Sequence, residues 1–191
     1  MEFCLSIRPS SIPNSGNGVF LQGRALSRSI VAIYPGLVYG PGDPLFLASI
    51  GNSFVLRCYD GLYVDGKPRG LSRSMFRSVA SMHSHGGLLD PRADSTWLDL
   101  PNIKGLLNPL AIGQLVNNGT SEHAPNVSYQ ELDLPPSFPV SLRPLIPNLH
   151  YSTSWNPDTD STRVVLLVVN DYQDGVQDTE LFSSYHQEVL V

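Results

Sequence analysis

The sequence predicts a mainly β domain with few and short helices, and three observations carry that expectation. Gly and Pro number 16 each in 191 residues, enough to interrupt long helices and to demand turns between short extended segments. Apolar residues fall in short runs, of which Val164 to Val169, reading Val-Val-Leu-Leu-Val-Val, is the strongest. Turn-forming pairs separate those runs at Pro35-Gly36, Pro41-Gly42, Asp60-Gly61 and Asp65-Gly66, each with the chemistry a tight reversal needs.

In chain order, extended segments are expected at Cys4 to Ile7, Gly18 to Leu21, Ile30 to Tyr34, Phe54 to Cys58, Leu62 to Asp65, Val127 to Leu132 and Val164 to Val169. Asn14-Ser15-Gly16 marks a turn after the first of them. The 164–169 run is too short for an average helix and too β-branched to prefer one, so it reads as a buried strand. Asp60-Gly61 between two apolar runs predicts a hairpin. Asp43-Pro44 offers a cap and first position for a helix over Leu45 to Ile50, and Ser72 to Val79 is a second short helical candidate. From about residue 70 to 108 the pattern turns irregular and polar, which suggests an insertion in a β core, and a second irregular loop covers about 135–156. No repeat or low-complexity linker divides the chain, so residues 1–191 are read as one decorated domain.

Composition excludes several classes of function. Hydrophobic residues make up 41% and charged residues 15%, the balance of a packed domain rather than a disordered tail. The net charge of -5 and a pI near 5.4 speak against direct nucleic-acid binding, which needs clustered cations. A basic peptide suits such a surface better. Cys4 and Cys58 are too few for a disulfide framework and form no CxxC pair. No apolar run reaches the roughly 18 residues of a membrane span, and the opening MEFCLSIRPSS lacks the regions of a signal peptide. The expectation is an intracellular protein, nuclear or cytoplasmic, off the membrane; in that setting the sequons at Asn118 and Asn126 carry no weight.

Isolated constellations are weak. His83 and His85 would lie on opposite faces of an extended segment without a cysteine partner, so no metal site is expected. Ser81, Ser84 and Asp94 lack the strand-turn-helix context of a hydrolase triad. Asp158, Asp160, Asp171, Asp174 and Asp178 lack calcium-loop spacing and read as solvated turns.

Four segments taken in order say more. Gly16-Asn17-Gly18-Val19-Phe20 follows an opening strand and precedes IVAIYPG at 30–36, and Tyr63-Val64-Asp65-Gly66 forms a middle strand. Gly113-Gln114-Leu115-Val116-Asn117-Asn118-Gly119 comes next, with Pro125-Asn126-Val127-Ser128-Tyr129 after it; the 164–169 strand then leads to Thr179-Glu180-Leu181-Phe182-Ser183-Ser184-Tyr185. Singly these are bland: Asn117-Asn118-Gly119 reads equally as a type I′ hairpin turn, and Tyr34, Tyr129 and Tyr185 as half-buried tyrosines. Their order resembles the SET domain of protein lysine methyltransferases, whose motifs are G-x-G, R-F-I-N-H-S, P-N-x-x-Y and G-E-E-L-x-x-x-Y.

That resemblance implies a fold of several small β-sheets with a knot-like C-terminal crossing. It also implies a methyltransferase that takes S-adenosyl-L-methionine as cofactor and a protein or peptide bearing lysine as partner, with no metal. By position, Tyr185 is the catalytic tyrosine, with Tyr129 and Tyr34 lining the lysine channel. Gly16, Asn17 and Gly18 would bring backbone against the cofactor, Asn117 would reach its methionine end, Asn118 its adenine, and Tyr185 would also border it. Ser183 and Tyr129 lie near positions that in relatives limit the number of methyl groups added. The chain departs from the pattern at Gln114 for Arg, Asn118 for His and Asp178-Thr179 for Gly-Glu. It also stops at Val191 without the cysteine-rich segment of many relatives, so another segment, such as the insertion near Trp97, has to cover the site. A SET-fold module that binds peptide or cofactor without catalysis is the alternative. An unrelated β scaffold would leave no cavity between the Gly16 and Asn117 segments.

Overall fold

A computed structural model describes residues 3–83, 93–100, 103–156, 158–171 and 174–184. The core strands form where β-branched and aromatic residues alternate or run together. β1 (Phe3–Pro9) pairs antiparallel with β2 (Asn17–Ala25), and β2 with β11 (Val176–Glu180). β3 (Ile30–Tyr34) and β8 (Val127–Leu134) flank β10 (Thr162–Val169), both antiparallel. Every residue of β10 from Arg163 on is buried except Leu166, as expected of a central strand covered on both faces.

A third sheet takes the order β5-β6-β4-β9. The hairpin of β5 (Val55–Arg57) and β6 (Tyr63–Asp65) turns at Asp60-Gly61, where the Leu62 amide donates to Asp60 Oδ1 at 3.2 Å. β4 (Gly36–Tyr39) runs antiparallel to β6 and parallel to β9 (Asn148–His150). β4 and β9 are absent from the sequence expectation, and β9 sits inside the stretch read as an irregular loop. The fourth sheet is small: β7 (Asn117–Asn118) lies parallel to β12 (Phe182–Ser183). Asn117-Asn118-Gly119 is therefore not a hairpin turn.

Helical expectations need two corrections. α1 (Phe46–Ser49) is present, but its cap is Leu45 without a side-chain bond; Asp43 Oδ2 instead accepts from the Gly40 amide at 2.6 Å. α2 (Gly70–His83) is a 14-residue helix that contains the expected Ser72–Val79 and extends it at both ends, into chain that the polar pattern suggests is irregular. It buries Ser72, Phe76 and Val79, the spacing of one helix face.

Two cores result. Val19, Leu21, Val31, Tyr34, Val64, Ile112, Val165 and Leu167 fill the first, among the β1, β3 and β6 sheets. In the second, α2 packs on β4 and β9 through Phe76, Val79, Leu37 and Leu149 around Trp97, whose ring meets Phe76 edge-on at 5.1 Å. Trp97 is fully buried there.

Candidate functional site

A cavity of about 960 Å³ opens where the first and fourth sheets meet the end of β6, within the size range of small-molecule sites. Its walls are Ile7, Ile12 and Ser15 to Asn17 from the β1–β2 hairpin, Ser53 and Phe54, Pro68 and Arg69, Leu100, and Gln114 to Thr120. The Gly16 and Asn117 segments thus face a common space, which an unrelated β scaffold would not provide.

Glu180 builds this junction. Its buried carboxylate accepts from the Ser10 hydroxyl at 2.7 Å, from the Ser11 amide at 2.8 Å and from the Ser11 hydroxyl. Asn117 Nδ2 donates to it at 3.4 Å and to the Asn17 carbonyl at 3.2 Å. Burial pushes the Glu180 carboxyl up, but these bonds outweigh it and hold the group below its ordinary value. A Cβ on Gly18 would run into the Glu180 carboxylate, so Gly18 makes room for Glu180 and, unlike Gly16 and Asn17, does not line the cavity. Gly16 has φ +70° and no protein atom within 4 Å of where its Cβ would be; a left-handed turn, not crowding, calls for glycine there.

Asn126 ties down the returning chain. It donates from Nδ2 to the Glu180 carbonyl at 2.7 Å, and its Oδ1 accepts from the Phe182 amide at 2.9 Å. Its own amide donates to the Phe182 carbonyl at 2.9 Å while the Gly119 amide donates to Ser183 at 2.7 Å, so the closing segment is gripped by 119 and 126 together. Where the motif's Gly is missing, Asp178 adopts φ 43° at a register shift of β11, and its Oδ1 accepts from the Gly23 amide at 2.8 Å. An aspartate able to enter the left-handed region with a local bond substitutes for glycine.

Tyr34 and Tyr129 meet edge to face at 6.1 Å, close to the closing strand: the Ser183 hydroxyl donates to the Tyr129 hydroxyl at 3.0 Å. Tyr34 is buried and donates its hydroxyl to the Phe54 carbonyl at 2.8 Å. Neither tyrosine lines the cavity. Tyr185, His85 and Ser84 lie outside the described residues.

Gln114 is 3% exposed and both its Nε2 and Oε1 are buried without a hydrogen-bond partner. An amide left unpaired in this way costs about 1–3 kcal/mol, and both of its polar atoms are shut off from the cavity that the residue borders. Arg69, Ser53, Phe54 and Leu100 escaped the sequence reading; they belong to no motif, and chain folding alone brings them to the wall.

The remaining candidates resolve structurally. Asp94 accepts from the Thr96 amide and hydroxyl and from the Asn108 amide, an organising role in a loop. Asp158 pairs with Arg143 and Asp171 with Arg28, each at 2.6 Å on the surface. Cys58, Asp60 and Glu131 cluster at metal-ligand spacing, but the Arg163 guanidinium occupies the acids, at 2.7 Å from Asp60, 2.9 Å from Glu131 and 2.7 Å from Asp133. No described helix is long and apolar enough to cross a membrane.

Two curated proteins, both named SET domain-containing protein 9 and coming from Pongo abelii and Homo sapiens, are 39% identical to the chain over 187 residues, 97% of its length. Over nearly its whole length the chain is similar to SET domain-containing proteins. No family model matches it. It spans 64% and 59% of those relatives' lengths. The mainly β architecture of several small sheets is consistent with a SET-domain fold; of the segments that carry the resemblance, Gly16-Asn17 and Gln114 to Gly119 border the cavity, and Gly119 and Asn126 grip the closing strand.

Proposed function

We propose that this SET domain transfers a methyl group from S-adenosylmethionine to a lysine side chain of a protein, with the 960 Å³ cavity as the cofactor site. The observation that carries the reading is the convergence on that cavity of Gly16-Asn17 and Gln114 to Asn118. The donor set fits the cofactor: Ile7, Ile12, Leu115 and Val116 offer apolar surface to a nucleoside, and Asn117 and Asn118 offer amides to its polar groups. When bound, the cofactor supplies an electrophilic methyl on a sulfonium.

The protein's part is alignment and exclusion of water. A substrate lysine, with a reference pKa near 10.4, is a cation at neutral pH, and neutralising it costs about 4–5 kcal/mol. An apolar channel of aromatic rings disfavours the ammonium and lowers that cost. Tyr129, held by Ser183, and the ring of Tyr34 stand beside the closing strand, which ends two positions before Tyr185. Tyr34 contributes its ring rather than its hydroxyl, which Phe54 engages. Tyr185 is the catalytic hydroxyl of this reading. A net charge of -5 favours a basic, lysine-bearing protein or peptide and disfavours direct contact with nucleic acid.

Transfer of tritiated methyl from S-adenosylmethionine to cell-extract proteins tests the reading. Wild-type protein is expected to label lysine, and Tyr185→Phe to lose about 100-fold or more of that rate. Full turnover by Tyr185→Phe would remove the residue's role. Cofactor binding without any transfer would leave the domain a binding module.

A further inference from the structure

α1 is apolar on its outer as well as its inner side. Leu45, which precedes it, packs on the second core and Ala48 is buried, yet Phe46, Leu47 and Ile50 are 76%, 67% and 63% exposed. A helix apolar all round is normally a covered one, and apolar residues gathered in this way on a surface mark a contact site. The ridge is also held in place. Asn52 Nδ2 donates to the Ala48 carbonyl and to Asp65 Oδ1, each at 2.8 Å, while the Phe54 amide donates to Asn52 Oδ1 at 2.9 Å. Asn52 thereby fastens the end of α1 to β6, so a partner meets side chains already positioned. None of Phe46, Leu47 and Ile50 lines the cavity.

Charge and area decide what fits the ridge. Lys67 stands at its end, with Nζ donating to the Gly51 carbonyl at 3.4 Å, and residues 67–83 hold four Lys or Arg residues and no carboxylate. Asp43, at the opposite end of α1, accepts from the Gly40 amide. An anionic membrane calls for about 4–8 free cations, whereas Arg73 and Arg77 are paired with Asp99 and Arg69 borders the cavity. A second copy of the chain asks for more area: even at roughly 250 Å² apiece, three side chains stay below the roughly 800 Å² per partner of a standard interface. We infer that Phe46, Leu47 and Ile50 form a docking ridge for an amphipathic helix of a partner protein, whose apolar face covers these side chains and whose acidic flank meets Lys67. Such a contact rests on a few anchors at i, i+3, i+4 and i+7 of the incoming helix.

Selection on the full chain from a displayed library of amphipathic helices about four turns long, with anchors and flanks randomised, tests the inference. Enriched helices are expected to be acidic and to bind the double variant Phe46→Ala, Ile50→Ala about 10-fold or more weakly. Lys67→Glu should weaken them about 5-fold or more. Both apolar side chains are exposed, so the double variant should keep the wild-type urea midpoint, and its loss of binding is then no loss of fold. Failure to enrich any helix overturns the inference, as does enrichment of basic sequences or of sequences insensitive to the double variant. So does a dimer in sedimentation that the double variant abolishes, or adsorption to vesicles of equal parts phosphatidylcholine and phosphatidylserine that the double variant lacks.

Discussion

Glu180 shows how one side chain organises a site it does not touch. Its carboxylate joins Ser10 and Ser11 of the hairpin loop to Asn117 of β7, and its size is the reason that residue 18 is glycine. Glu180→Gln keeps the shape but puts a donor against the donors of Ser11, so a stability loss of about 1–3 kcal/mol is expected in urea unfolding. Because the native carboxyl is held below its ordinary value, its contribution is present at neutral pH and fades as acidity rises through the native pKa. Wild type should therefore lose stability more steeply than Glu180→Gln below about pH 5, and parallel profiles would contradict the assignment. In sequence Glu180 was visible only as a letter of a motif. Its partners are a turn about 170 residues earlier and β7, and no local pattern points to them.

At the scale of elements, legibility followed locality. β3 and the β5–β6 hairpin were readable because their signals, a β-branched run and an Asp-Gly turn, lie within a few residues. β4 was not: it has four residues, and its partner β9 pairs in parallel from more than a hundred residues away. α2 was half readable. Its sequence, GLSRSMFRSVASMH, is rich in Ser and Arg, and only the 72, 76 and 79 positions betray the buried face that packing against Trp97 rewards. Phe76 is the centre of that contact, so Phe76→Ala is expected to cost about 3–5 kcal/mol, read as a lower urea midpoint at constant slope. A cost under about 1 kcal/mol would mean that α2 is not anchored through this face.

For the whole molecule, the motif order foretold which distant segments meet, and the structure supplied the reason: Asn126 and Gly119 grip the closing strand, and Glu180 locks that strand to the hairpin loop. What the motifs missed is the wall opposite in chemistry, Ser53-Phe54 and Pro68-Arg69, which reaches the cavity only because β5, β6 and the start of α2 fold back on Gln114. Hydrogen exchange with and without S-adenosylhomocysteine tests the central claim that this junction is the cofactor site. Slower exchange is predicted at residues 15–17, 53–54 and 114–120, with Val140–Leu145, remote from the cavity walls, unchanged. Protection confined to other segments, or no protection under saturating ligand, would contradict it.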